Sequence, residues 1–211
     1  MLASLIGGML LAAASVTAIP SPLEGKTVTD ITWIGQVVAD GPMVNFSGPC
    51  LHSIEKSIAA VYPGFTWATA PRSLEDDDAS IDLHSDDDPP KGDPDPALLK
   101  CWEGGVGDAD AVHISDGIYY LEKVPGWCMN GPGPNNCGQI SCSYNSAIIW
   151  CNDNRWPYKK HCRYFAKFAR AVSDGCQYTT RDSAHYNMWT RGTQYDGRGF
   201  SVIAAKPKED C

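Results

Sequence analysis

Nine cysteines, every one of them beyond residue 49, constrain this 211-residue chain more than any other feature. They are Cys50, Cys101, Cys128, Cys137, Cys142, Cys151, Cys162, Cys176 and Cys211. Their spacings are irregular, with no Cys-x-x-Cys and no histidine pair at ligand spacing, so they read as a disulfide framework and not as zinc ligands. No metal and no cofactor is expected. Four bridges, each contributing about 2–4 kcal/mol, would leave one thiol over. That odd cysteine would be free or would offer a route to a disulfide-linked dimer. The pairing stays open, since eight chosen cysteines allow about 105 connectivities.

The N-terminus says where such bridges would form. Met1 to Ala18, MLASLIGGMLLAAASVTA, carries no charge, is short for a bilayer span and ends in small residues. Val16-Thr17-Ala18 suits a signal peptidase. Residues 1–18 therefore read as a signal peptide, and residues 19–211 as one secreted, disulfide-rich domain in an oxidising compartment. Asn45-Phe46-Ser47 is an acceptor for N-linked glycan, marking Asn45 as a glycosylation site.

The net charge of −8 is concentrated in one place. Glu75 to Asp95 holds ten acidic residues and one lysine, so the rest of the chain is close to neutral. Such a body has no general electrostatic footprint for nucleic acid. Residues 72–96 read as an acidic loop insertion, because self-repulsion and a scarcity of apolar side chains oppose packing. Calcium is the alternative for clustered carboxylates, but the spacing fits no EF-hand loop.

Two segments carry helical periodicity. Leu51, Ile54, Ile58 and Val61 form one stripe, stopped by Pro63-Gly64. Cys162, Phe165, Ala169, Val172 and Cys176 form another within Tyr158 to Gly175, where Gly175 is expected to cap in the left-handed conformation. Lys160, Arg163, Lys167 and Arg170 mark the opposite face as a basic stripe. It is a solvated face or a contact for anionic lipid or an acidic partner. Strands are expected over Val28–Val38, Val112–Ile114, Gly117–Leu121, Ile140–Trp150 and Phe200–Ala205, with a turn-rich loop over Asn130–Asn136. The expectation is an α+β fold, an antiparallel sheet with one or two helices packed on one face, as a disulfide-stapled sandwich.

Catalytic signatures are sparse. There is no Gly-x-Ser-x-Gly elbow and no phosphate-binding glycine loop. Asp108, Glu122 and Asp153 are candidate glycosidase carboxylates. His185 with Glu122 is the pair for ribonuclease-type acid–base chemistry. Trp102, Trp127, Trp150, Trp156 and Trp189 are either core residues or platforms for sugars.

Gly117-Ile118-Tyr119-Tyr120-Leu121 followed by NGPGPNNCGQISCSYNSAIIWCNDN (Asn130 to Asn154) resembles a group of small secreted cysteine-rich proteins of filamentous fungi. The likeness runs on through Cys176 and closes with Gly199 to Ile203 and Cys211. Members of that group are mostly candidate effectors, and no catalytic residues come with it. Val44 to Cys50 is more loosely similar to the N-terminal segment of smut-fungus killer toxins, which are disulfide-rich α/β sandwiches. On that likeness Phe46 stands where the first of two close cysteines would be, which would account for the odd count. Such toxins act on target cells, in some cases by blocking calcium uptake. The secretion signal, the disulfide frame, the missing catalytic motif and this resemblance together imply a secreted, non-enzymatic effector or toxin-like protein acting on a host or competitor cell-surface protein or membrane component; the basic helix stripe, read from its own charge pattern, is the candidate contact surface. A secreted hydrolase or ribonuclease using His185, and a cell-wall carbohydrate-binding module, are the alternatives.

Overall fold

The computed structural model describes residues 25–72, 93–182 and 185–207. The expected signal peptide, most of the acidic insertion and Cys211 lie outside the described residues. The chain forms β1 (Thr27–Val28), β2 (Ile31–Gln36), β3 (Met43–Gly48), α1 (Leu51–Val61), a short 3-10 turn (Pro96–Leu98), β4 (Leu99–Cys101), β5 (Ala109–Asp110) and α2 (Ala111–Leu121). It continues with β6 (Trp127–Asn130), β7 (Asn136–Ser143), β8 (Ser146–Asn152), β9 (Tyr158–His161), α3 (Tyr164–Cys176), β10 (Gln177–Arg181), β11 (Tyr186–Thr190), β12 (Gly192–Tyr195) and β13 (Phe200–Ala205).

Three sheets result, ordered β1-β7-β8-β13-β12-β4, β3-β2-β6-β9 and β10-β11-β5. All pairings are antiparallel except that of β1 with β7. Helices α2 and α3 pack side by side on one face of the six-stranded sheet, α2 over β7 and β8, α3 over β4, β12 and β13. The fold is thus α+β, antiparallel and disulfide-stapled. Strands β8 and β13 are buried at every position, which explains their predominantly apolar sequences SAIIWCN and FSVIAA. Ile148, Trp150, Phe200, Val202 and Ala204 join the main core, while Ala147, Ile149, Cys151, Ile203 and Ala205 form a second cluster with Cys137. The backbone of the Trp102–Gly107 loop lies close against that second cluster, since a Cβ on Gly104 would come within 2.7 Å of Ile203.

Four expectations about local structure change. Val112–Leu121 is helix α2, not strand. The apolar positions Ala111, Ile114, Gly117, Ile118 and Leu121 are all buried, and Asp110 accepts the Val112 amide hydrogen at 2.8 Å as N-cap. Helical spacing with a cap outweighs the weak strand preference of Val and Ile. Ile140–Trp150 is not one strand but a hairpin. Tyr144 and Asn145 turn it at φ 46° and 57°, the positive pair a two-residue hairpin loop needs. The second helix starts at Tyr164, and Tyr158–His161 is strand β9, so Lys160 does not belong to the basic face. Gly175 is not a left-handed cap, because the helix runs on to Cys176; a Cβ there would lie 2.4 Å from Leu99 Cδ2. Helix α1 falls where its periodicity placed it, burying Leu51, Ile54 and Ile58, but Val61 at its end is exposed.

Three disulfides are formed among the described residues: Cys101–Cys176, Cys128–Cys162 and Cys137–Cys151. Cys142 is also disulfide-bonded, and among the described residues Cys50 is the free thiol. Cys162 and Cys176 bracket α3, so the first two bridges fasten that helix at both ends. Among the described residues no helix is long and apolar enough to cross a membrane.

A small buried network links α1 and α2. The Trp67 indole donates to the Tyr120 hydroxyl at 2.6 Å, and the Trp67 amide donates to Glu55 at 2.9 Å. Burial pushes the Tyr120 hydroxyl well above its ordinary value of 10.0. A raised folded-state value means that the unfolded chain ionises first, so stability from Tyr120 is full below about pH 10 and falls as pH rises further. In a Cys50→Ser background, the urea midpoint advantage of Tyr120 over Tyr120→Phe should shrink between about pH 9 and pH 11. A constant advantage would rule out the shift.

Candidate functional site

The short strand β5 decides where the site lies. It pairs with β11, setting Asp110 opposite Trp189, while β10 sets Tyr178 opposite Trp189. Directly opposed residues share a face, so Tyr178, Trp189 and Asp110 form one row across this sheet. The N-terminus of α2, carrying His113, and the Tyr144–Asn145 turn of the β7–β8 hairpin make the facing wall. Together they enclose an open cleft of about 500 Å³ that Asp108, Ser146 and Lys206 also line. That size falls within the range of small-molecule sites, about 300–1,000 Å³.

The cleft's ionisable groups are held by structural partners. Asp108 accepts from the Tyr178 hydroxyl at 2.7 Å and lies 3.4 Å from the Arg191 guanidinium. The bond to Asp108 raises the Tyr178 hydroxyl above its ordinary value. Asp110 caps α2, and its own amide donates to Ser146 Oγ at 3.1 Å. His113 lies 3.5 Å from Asp116 and stacks on Tyr144 with ring centroids 4.5 Å apart. The Trp189 indole N–H donates to Thr180 Oγ1 at 2.9 Å, which leaves its ring face for other contacts. Asn145 Oδ1 is buried without a hydrogen-bond partner, while Asp108 Oδ1 and His113 Nδ1 face Arg191 and Asp116 at ion-pair distance. Buried polar atoms are nearly always bonded, so the orphaned Asn145 oxygen marks the place as unusual.

The residues singled out from sequence do not converge. His185 sits in the β10–β11 turn, 3.7 Å from Asp182, and Glu122 pairs with Arg170 on the outer surface of the two helices. No contact joins His185 to Glu122 among the described residues. Asp153 accepts from the Asn135 amide at 2.9 Å, away from Asp108. Of the four basic residues, Lys167 pairs with Asp93 at 3.3 Å and Arg170 with Glu122, while half-buried Arg163 precedes α3 as its N-cap. Lys160 is buried, its ammonium 5.2 Å from the Tyr164 ring centroid. Among the tryptophans, Trp150 and Trp127 are core, whereas Trp102 and Trp156 are exposed. Asn45 is exposed on the edge strand β3, with Ser47 Oγ within hydrogen-bond distance of Thr32 Oγ1. Among the described residues, no group of three or more His, Cys, Asp or Glu is placed to hold a metal ion.

The cleft residues His113, Tyr144, Asn145, Tyr178 and Lys206 escaped sequence reasoning. The local signal available was the pattern SYNS, a hairpin turn with its aromatic at the tip. Sequence comparison adds nothing to these residues: no family model, no curated protein and no solved structure matches this chain.

Proposed function

We propose that this is a secreted effector or toxin-like protein that acts on host or competitor cells by binding, not by catalysis, with the cleft beside β5 as its recognition site. The observation that carries this reading is the state of the cleft's acids and bases. Asp108, Asp110 and His113 are each committed to structural partners, whereas the aromatic rings of Trp189 and Tyr144 line the cleft. A general acid or base needs a proton-carrying group free to face substrate. The disulfide frame suits an extracellular setting. The likeness of the Asn130–Asn154 segment to fungal candidate effectors points the same way, and an N-glycan on exposed Asn45 fits it. The cleft replaces the basic stripe as contact surface, since Lys167 and Arg170 already have carboxylate partners.

Leaf tissue infiltrated with the oxidised protein should leak electrolytes, and a reduced and alkylated sample should not. Trp189→Ala, folded as judged by near-ultraviolet circular dichroism, should lose most of the effect. Hydrolysis of RNA or glycan by the oxidised protein that stops in His185→Ala would overturn the binding reading in favour of an enzyme.

A further inference from the structure

We infer that the cleft binds a neutral β-linked oligosaccharide, laid across the Tyr178–Trp189–Asp110 row. The inference rests on the reading of the cleft as a binding site and adds the chemical class of its ligand. Charge compensation is the first argument. Asp108 faces Arg191, Asp110 sits on the positive end of α2, and His113 faces Asp116. With the Lys206 ammonium also on its lining, the cleft holds carboxylates and a cation together and presents no field of one sign.

The second argument is the shape of the apolar surface. With its N–H already donated to Thr180, half-buried Trp189 offers a ring face and not a hydrogen-bonding edge. Pyranose rings with equatorial substituents present flat C–H surfaces of matching size, with hydroxyls around the perimeter. Those hydroxyls both donate and accept. The lining of the cleft offers both complements: the Asn145 amide, whose oxygen has no partner, and the Lys206 ammonium.

The third argument is conformational. Trp102 and Tyr144 are exposed aromatics held at φ 68° and 46°. Tyr144 owes that conformation to its hairpin turn, whereas a bulky residue such as Trp102 rarely adopts it, and such strain gathers at ligand sites. Tyr144 lines this cleft, stacked on His113, and Trp102 packs edge-on against the lining residue Tyr178 at 5.1 Å. The cleft is open to solvent.

Calorimetric titration of the oxidised full-length protein with chito-, cello- and laminari-oligosaccharides tests this directly. The three series differ in N-acetylation and in linkage, so preference among them separates chitin-type, cellulose-type and β-1,3-glucan-type chains. Saturable binding to at least one series is expected, weakened about tenfold or more by Trp189→Ala and largely restored by Trp189→Phe. Asn145→Gly keeps the positive φ while removing the amide, so it should weaken binding without loss of fold. No saturable binding to any series, or unchanged affinity in both Trp189→Ala and Asn145→Gly, overturns the proposal. Binding of tetramethylammonium in place of sugar would also overturn it, by assigning the aromatic row to a cation. Leaf leakage without sugar binding would sink the ligand class alone; sugar binding without leakage would sink the effector reading alone.

Discussion

Replacing Trp33 with alanine is expected to destabilise the fold by about 3–5 kcal/mol, read as a lowered urea midpoint with an unchanged slope. Trp33 is fully buried on β2 and meets Trp67 and Phe65 with ring centroids 5.2 and 6.2 Å away. Its indole N–H donates to the Pro125 carbonyl at 2.7 Å, so truncation would leave that oxygen unpaired as well as a cavity. The surrounding backbone is shaped to the ring. A Cβ on Gly35 would lie 2.3 Å from Trp33 Cζ2, and one on Gly126 3.1 Å from its nitrogen. Gly126 also sits at φ 74°, a conformation that residues with a side chain rarely adopt. Trp33→Phe keeps most of the volume and should cost clearly less. A loss below about 1 kcal/mol for the alanine variant would mean that the site collapses, against this packing.

Loss of the Cys101–Cys176 bridge should be the other large effect. It spans 75 residues, against 34 for Cys128–Cys162 and 14 for Cys137–Cys151. Loop-closure entropy grows with the logarithm of loop length, giving about 4.5, 3.8 and 3 kcal/mol in the same order. Cys137 and Cys151 face each other in a hairpin that its own turn already closes, which lowers the bridge's value further. Cys101 is the end of edge strand β4, fastened to the last residue of α3. Paired serine substitutions should therefore rank Cys101/Cys176 as most damaging by thermal midpoint, and amide exchange should rise first in Leu99–Cys101. Because Trp102 follows directly and packs on Tyr178, the same variant should also loosen the cleft. A reversed order, with Cys137/Cys151 most damaging, would show that local strain and not chain entropy governs these bridges.

The sequence by itself determined what depends on neighbours in the chain. Leu51, Ile54 and Ile58 specify α1 because three- and four-residue spacing puts them on one helical face. Phe200–Ala205 is a strand at the limits its apolar run indicated. The burial of Cys176 followed from the same periodicity, whereas Tyr158–His161 proved to be a strand pairing with β6 and Cys162 lies in the turn before α3, bridged to Cys128. Local preference was ambiguous where β-branched residues fell at helical spacing, as in Val112–Leu121, and there the Asp110 cap and packing against β7 and β8 decided.

Only the tertiary structure decided the cleft. Its members come from residues 108–113, 144–146, 178–189 and 206, and they meet because β5 pairs with β11 in the register that sets Asp110 beside Trp189. That register is fixed by contacts between segments some eighty residues apart, of which no local pattern carries a trace. The same holds for the charges. Arg170 and Lys167 read as a free basic stripe until the fold brought Glu122 and Asp93 to them, and Lys160 became a buried cation over an aromatic ring. Periodicity reports which side of an element is apolar; what stands opposite a side chain is set by the packing of the whole.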